Sequence, residues 1–474
     1  MLIWTAADIL AAVQGQSLHE QNWRATGITI DSRSVNKGDL FIAIKGPHHD
    51  GHDYVAAAFQ AGAAAAIVSR QVSPVPAAAP VIMVDDTVAA LQALGRAGRA
   101  RSSATIVAVT GSVGKTSCKE MLRLALGAVD STHASIGSYN NHWGVPLSLA
   151  RMPQDVRFGV FELGMNHAGE LGPLSQMVRP DVAMITTIEP VHMAFFDSLD
   201  GIADAKAEIF QGLPSTGTAI LNRDNAYYDR LLATAEKQGT KKILSFGKHA
   251  KADAQMISYT PTPDGAIVSA RIIGTPVTFT LSVPGEHIAQ NAISVLLTAV
   301  VAGGDLQVCA AALEAYRQPK GRGVIETIDL PAGGNFTLID ESYNASPTAV
   351  RFAARVLGQM VPQSGGRRIM VLGDMRELGQ SGADYHRALA TDITQAGIDV
   401  VYCCGELTHH LYEALPADLR GSWAEDSMTL APIVSSAIQA NDIVSVKGSL
   451  SMSMDTIVDL LSTNPATPTM HQSY

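Results

Sequence analysis

Short apolar runs bounded by glycine, proline or acidic residues recur along the chain, and most are followed by a stretch whose apolar positions fall three and four apart. Between residues 1 and 86 the runs "GITIDSR", "DLFIAIKG", "AAIVS" and "VIMVDD" read as strands around one alanine-rich helix, "DYVAAAFQAGAAAA". Alanine favours helix but fills little volume, so this helix is expected to pack closely and to carry no chemistry. A connecting helix is expected from Thr87 to Ser103, leading into the strand "TIVAVT". After it "FGVFELGM", "VAMITTI", "TAILN" and "KKILSFG" alternate with helical or loop segments, the rhythm of a parallel sheet with helical crossovers. A turn-rich stretch from Ala254 to Pro284 predicts antiparallel strands, and a long helix begins near Glu286. "QPKGRG", residues 318 to 323, reads as a hinge, as does the Thr87 to Ser103 connection. Beyond it "FTLIDES", "RRIMVLGDM", "VVYCCG" and "DIVSVKGS" alternate with amphipathic helices and predict a Rossmann-like domain. The expectation is an α/β chain of three domains: a small one over 1–86, a central phosphate-loop domain over 87–318 and a third over 319–474. The tail "STNPATPTMHQSY" is expected to be disordered.

Composition narrows the function classes. With 34 Lys and Arg and a formal net charge of -10, no broad positive field is present for nucleic acid or a membrane surface, so any phosphate must be met locally. Four cysteines offer no paired metal-ligand spacing and no disulfide framework, which fits a reducing cytoplasm. The N-terminal stretch lacks a basic region before its apolar residues, and the apolar run Ala292 to Ala302 is too short to span a bilayer. A monomer is the default expectation.

The sharpest local signal is "IVAVTGSVGKTSCKEML", Ile106 to Leu122. A phosphate-binding loop usually has four residues between its first glycine and its Gly-Lys-Ser/Thr, whereas here only Ser112 and Val113 separate Gly111 from Gly114, Lys115 and Thr116. The context is nevertheless right. An apolar strand ends at Thr110, a glycine-rich turn follows, and Lys115, Thr116 and Ser117 open a helix whose free N–H groups can converge on phosphate. Lys115 would reach the terminal phosphates, and Thr116 would offer its hydroxyl to Mg²⁺. The plain alternative is a strand-to-helix turn with no ligand. Glu162 in "GVFELGM" and His192 in "TTIEPVHM" fall at or just beyond the carboxyl ends of predicted parallel strands, the edge that carries the loop, and could share a metal site. Singly, each also reads as a solvated acid or a hydrogen-bonded loop histidine. Lys206 in "GIADAKAEIFQGL" reads as a solvated helix lysine.

Taken together and in order, "TGSVGKTS", "FELGMNHAGEL", "HMAFFDSLDGIADAKAEIF", "GEHIAQNAISVLLTA", "KGRG" and "DESYNASP" resemble the Mur ligases, which share the short phosphate loop with folylpolyglutamate synthetases. Further stretches, including "GSYNNHWGVPLSL" and "VLGDMRELG", resemble the branch that joins D-alanyl-D-alanine to a UDP-N-acetylmuramoyl-tripeptide in peptidoglycan synthesis. The resemblance implies a three-domain Mur ligase architecture, in which the N-terminal domain grips the UDP-linked substrate. It also implies ATP and two Mg²⁺ ions as cofactors, small-molecule substrates, and no nucleic-acid partner or membrane insertion. By residue, Lys115, Glu162, His192 and Lys206 would be catalytic. Thr110, Gly111, Ser112, Val113, Gly114, Lys115, Thr116, Ser117, His287, Asn291, Arg322 and Glu341 would meet ATP, and Ser32 and Arg33 the uridine diphosphate. Thr116, Glu162, His192 and Lys206 would serve the metal, the lysine as a carbamate, which reverses its solvated-helix reading.

Departures from the family pattern qualify this. Ile288 follows the adenine-side histidine where Asn is usual, Glu341 and Ser346 replace Asp and Asn around "SYNASP", and Leu450 in "KGSLSM" stands where Arg is usual. Arg376 in "GDMRELG" is one candidate to compensate. Three readings therefore stand: this peptide ligase; another ligase of the superfamily such as a folylpolyglutamate synthetase, which needs no uridine-binding domain before Thr105; and a non-catalytic nucleotide-binding scaffold.

Overall fold

The computed structural model describes residues 4–17, 22–46, 49–76, 79–191, 193–262 and 265–463. His192 and the tail from residue 464 lie outside them. Two compact units emerge, one formed by Met1–Ile188 with Asp200–Tyr316, the other by Glu189–Leu199 with Arg317–Tyr474.

The first unit holds two large sheets. In the N-terminal one, Gly27–Thr29, Asp39–Ile42, Ala65–Val68 and Val81–Met83 pair in parallel, with Gln16–Ser17 antiparallel at the edge. The alanine-rich stretch is less helical than its composition suggests. Its helix is only Val55–Gln60, because the chain turns at Gly62 and Ala65 and Ala66 are drawn into a buried strand. Burial between two layers outweighs alanine's helix propensity there.

The central sheet has nine strands. Thr105–Thr110 lies between Phe158–Glu162 and Val182–Ile185, all parallel, and Thr218–Asn222 and Lys242–Gly247 continue the parallel run. The expected turn-rich stretch is Ala254–Thr262, Gly265–Ile272 and Thr275–Leu281, antiparallel to one another. Their apolar face packs on the helices Lys115–Gly127 and Glu286–Val301, the latter buried along most of its length because its apolar residues run almost all round it.

The helix Thr87–Ala100 is not a hinge. It packs on Gly144–Arg151, and a methyl group at Gly95 or Gly98 would come within 2.8 Å of Pro146 Cα or 2.4 Å of Leu149 O. The Trp4 indole donates to Ala150 O at 2.8 Å and Arg151 Nε to Ile28 O at 2.6 Å, and the N-terminal sheet shares one apolar cluster with these two helices that includes Leu91, Leu94 and Leu147. Small residues facing backbone make a close helix pair where the sequence reads as a connecting helix and hinge.

The second unit is built on a six-stranded sheet, parallel except for the edge strand Val324–Asp329. Pro347–Gln359, Gly382–Gln395 and Glu406–Ala414 cover one face, and Ser427–Ala437 and Asp455–Ser462 the other. This is the expected doubly wound pattern. The segment Glu189–Leu199 belongs to this unit: Thr348 Oγ1 donates to Glu189 Oε2 at 3.1 Å, and Ala194 N to Glu377 O at 2.8 Å.

Candidate active site

The phosphate loop follows Thr105–Thr110, the third strand from one edge of the nine. Gly111 has φ +146° and Gly114 φ +83°, values a side chain disfavours. A methyl group at Gly111 would also lie 1.9 Å from Thr186 Oγ1. The loop is tied to the next strand: Ser112 N donates to Thr187 O at 2.9 Å and Thr186 Oγ1 to Val113 O at 2.6 Å. Gly114 caps the helix Lys115–Gly127 with no side-chain bond to its first N–H groups, and the Asn291 amide lies 3.1 Å from the place a Gly114 methyl would take. Half-buried Lys115 bends back so that Nζ donates to Gly111 O at 2.7 Å and Ser112 O at 3.2 Å.

Thr116 and Glu162, both buried, meet directly: Thr116 Oγ1 donates to Glu162 Oε2 at 2.9 Å. The other oxygen, Oε1, accepts from Asn140 Nδ2 at 2.8 Å, and the Glu162 backbone N–H is taken by Ser135 Oγ at 3.2 Å. Thr110 Oγ1 donates to Leu163 O at 2.8 Å, which fixes the strand ends against each other.

Lys206, in the helix Leu199–Ala207, is buried rather than solvated. Burial, and secondarily the charge of Lys115, hold its pKa well below that of an ordinary lysine. At and just beyond the end of the next strand, Thr218–Asn222, Asn222 Nδ2 and Asn225 Nδ2 donate to Thr186 O and Thr187 Oγ1 at 3.1 and 2.9 Å and brace the loop's neighbour. His287 is exposed in the first turn of Glu286–Val301, whereas Ile288 is buried in the core.

Ser32 and Arg33 follow the strand Gly27–Thr29 in a short 3₁₀ turn capped by Asp31. Arg33 grips Asp31 through Nε at 2.9 Å and Nη2 at 2.8 Å while its side chain stays 88% exposed. The Arg33 hydrogen bond holds the Asp31 carboxyl below its usual range.

In the second unit Arg322 stacks 4.1 Å from the centre of the Tyr343 ring. Glu341 Oε2 lies 3.8 Å from Lys447 Nζ, and Ser346 caps the helix Pro347–Gln359 through Ala349 N at 3.3 Å. Leu450 is 60% exposed. Arg376 lies against the same turn: its N–H donates to Ser449 Oγ at 2.8 Å and Nη2 approaches Met452 Sδ at 3.2 Å.

The phosphate loop, Thr116, Glu162, Lys206 and Asn291 thus gather in one unit, while Arg322 and Glu341 belong to the other. Sequence reasoning missed Asn140 and Lys119. Lys119 is fully buried one helical turn beyond Lys115 and donates to Ser135 O at 2.9 Å and Gly137 O at 3.0 Å. That one-turn spacing was its only signal. Among the described residues no group of three or more His, Cys, Asp or Glu is placed to hold a metal, and no helix is long and apolar enough to cross a membrane.

Comparison with known proteins agrees with this geometry. The family models described as Mur ligase family catalytic domain, Mur ligase middle domain and Mur ligase glutamate ligase domain match residues 24–99, 109–299 and 325–450. A UDP-N-acetylmuramoyl-tripeptide–D-alanyl-D-alanine ligase of Rickettsia prowazekii is 34% identical, over 97% of this chain and 99% of its own. One of Bacillus subtilis is 32% identical over 98% and 100%. The crystal structure of MurF from Acinetobacter baumannii superposes with a TM-score of 0.83 at 31% identity, covering 97% of this chain and 99% of that one. With likeness of this extent joined to the short phosphate loop and its Thr116–Glu162 contact, the chain belongs to the Mur ligase family.

Proposed function

We propose that the chain joins D-alanyl-D-alanine to UDP-N-acetylmuramoyl-tripeptide at the expense of ATP, releasing ADP and phosphate, as a monomer in the bacterial cytoplasm. The observation that carries this is the buried pair Thr116–Glu162 beside a phosphate loop and a lysine held toward its neutral form. The full-length likeness to ligases named for this reaction selects the substrates. The four cysteines are free and buried, in keeping with a reducing compartment.

A carboxylate does not acylate an amine at neutral pH, because its leaving group would be an oxide. Transfer of the γ-phosphoryl group to the tripeptide carboxylate gives an acyl phosphate and ADP. The amine of D-alanyl-D-alanine then forms the C–N bond, phosphate leaves, and the amine gives up a proton. No covalent enzyme intermediate is required. Charge builds on oxygen in both steps, so positioning and electrostatics do most of the catalysis. Lys115 exchanges its two loop carbonyls for phosphate oxygens, and the helix N–H groups beyond Gly114 meet the same anion.

Thr116 and Glu162 present hard oxygens 2.9 Å apart, a donor set that suits Mg²⁺, so these two side chains, with His192 outside the described residues, would hold it. When bound, Mg²⁺ neutralises phosphate charge. A lysine driven toward the free amine is the form that condenses with CO₂, so Lys206 is suited to become a carbamate, an anionic oxygen donor where the chain otherwise has nitrogen. Exposed Arg33 beside Ser32 would take the uridine diphosphate end, with Asp31 fixing the guanidinium. His287, Asn291, Arg322 and Glu341 complete the ATP contacts. The domain limits proposed are 1–86, 87–318 and 319–474.

The test is phosphate release from ATP with each candidate acceptor, followed by the product mass. Release should need both the UDP-tripeptide and D-alanyl-D-alanine, and the product should weigh their sum less one water. Release driven by a folate acceptor, or by neither, overturns the proposal.

A further inference from the structure

Lys119 is fully buried, yet it belongs to no part of the chemistry described so far. Taking an ammonium out of water is costly, and an apolar side chain of similar volume is often as good or better for stability. Here the charge is matched donor by donor. Nζ gives one proton to Ser135 O at 2.9 Å and one to Gly137 O at 3.0 Å, and pairs with Glu120 Oε1 at 2.5 Å.

Both carbonyls belong to one loop, residues 135 to 141, which runs from the strand Thr132–Ala134 toward the helix Gly144–Arg151. The same loop holds Glu162 from two directions. Ser135 Oγ accepts the Glu162 backbone N–H, and Asn140 Nδ2 donates to Oε1, leaving Oε2 to Thr116. The loop is fastened again where Gly164 N donates to Asn140 O at 2.8 Å.

We infer that Lys119 is a positioning residue for Glu162: by clamping the carbonyls of Ser135 and Gly137 it fixes the 135–141 loop, whose Asn140 orients the carboxylate that meets the divalent cation. The inference rests on the proposed role of Glu162 as a cation ligand. Lys119 touches neither substrate nor metal, so its effect passes through the loop. Partners of this kind, one shell removed from a metal, are typically worth about 10- to 100-fold in metal affinity.

The experiment uses the full chain and titrates Mg²⁺ against ADP binding by calorimetry and, separately, against turnover. Lys119→Met should bind ADP in EDTA as the wild type does, but require about tenfold more Mg²⁺ for half-maximal binding and half-maximal rate. Amide exchange over residues 135 to 141 should quicken in this variant and stay unchanged in Asn140→Ala. Asn140→Ala should raise the Mg²⁺ requirement alike, and the double variant should need no more than the larger single effect. A Lys119→Met protein with an unchanged Mg²⁺ midpoint overturns the inference, as does a double variant whose effects multiply. Should Lys119→Met not fold, Lys119→Gln, which keeps two of the three donors but no charge, should show an intermediate midpoint, and a wild-type midpoint there is equally fatal. Wild-type protein that binds ADP with Mg²⁺ but releases no phosphate with the proposed acceptors sinks the ligase reading alone. ADP binding indifferent to Mg²⁺ sinks the role of Glu162 and this inference with it.

Discussion

Lys206 shows how burial turns a common surface residue into a reactive one. Its folded pKa lies below the ordinary lysine value near 10.4, so between those two values the unfolded chain binds more protons than the native one. Stability is therefore greatest above the unfolded value and falls as pH drops toward the folded one, by about 1.4 kcal/mol for each pH unit crossed. At pH 7 in CO₂-free buffer, Lys206→Met should melt at a higher temperature than the wild type while losing nearly all turnover. Bicarbonate should raise the melting temperature of the wild type and leave the variant unmoved. Lys115→Ala is the complementary case: it should fold normally and lose at least ~10³-fold in kcat, because the missing charge faces the transferred phosphoryl group. A near-normal rate would remove Lys115 from the site. Lys115, Thr116 and Glu162 were legible because a strand, two glycines and a helix start fix where the side chains lie. Lys119 and Asn140 were not, since backbone carbonyl acceptors have no spelling in sequence, and Lys206 was legible only through family likeness.

Among the elements, the edge strand Thr132–Ala134 is joined to the helix Gly144–Arg151 by one imidazole, His133 Nε2 to Ser148 O at 2.8 Å. Burial lowers the pKa of His133 to about 4, below the unfolded value near 6.5. The stability this neutral histidine contributes is whole above pH 6.5 and is lost as pH falls through 4, at about 1.4 kcal/mol per pH unit. His133→Gln can retain a donor without titrating, so its urea midpoint should fall less between pH 6.5 and 4.5 than that of the wild type. Parallel slopes would show that other groups govern the acid limb. Strand and helix positions were broadly readable from periodicity, but packing partners were not. The Thr87–Ala100 helix was legible as a helix, but its reading as a hinge gave no sign that Gly95 and Gly98 are the faces where Pro146 and Leu149 press in.

For the whole molecule, the order of domains along the chain conceals that the second unit is discontinuous. A fragment of residues 317–474 lacks the carboxylate that accepts from Thr348 Oγ1 and the amide that donates to Glu377 O. It should therefore unfold at a lower temperature alone than with an added peptide spanning 189–199, and equal melting would show the segment to be a passive passenger. The three-domain plan was legible because hydrophobic runs repeat by domain. The reassignment of eleven residues was not, because nothing in "EPVHMAFFDSL" distinguishes a loop that stays with its sheet from one that leaves it. Synthesis on the ribosome gives this discontinuity a temporal meaning. The segment emerges before its partners Thr348 and Glu377 exist, and at typical elongation rates Glu377 follows Leu199 by roughly 10 to 40 seconds. The first unit must fold around an unsatisfied loop and keep it available, so an aggregation or proteolysis risk falls in that interval on the nascent chain rather than on the finished protein.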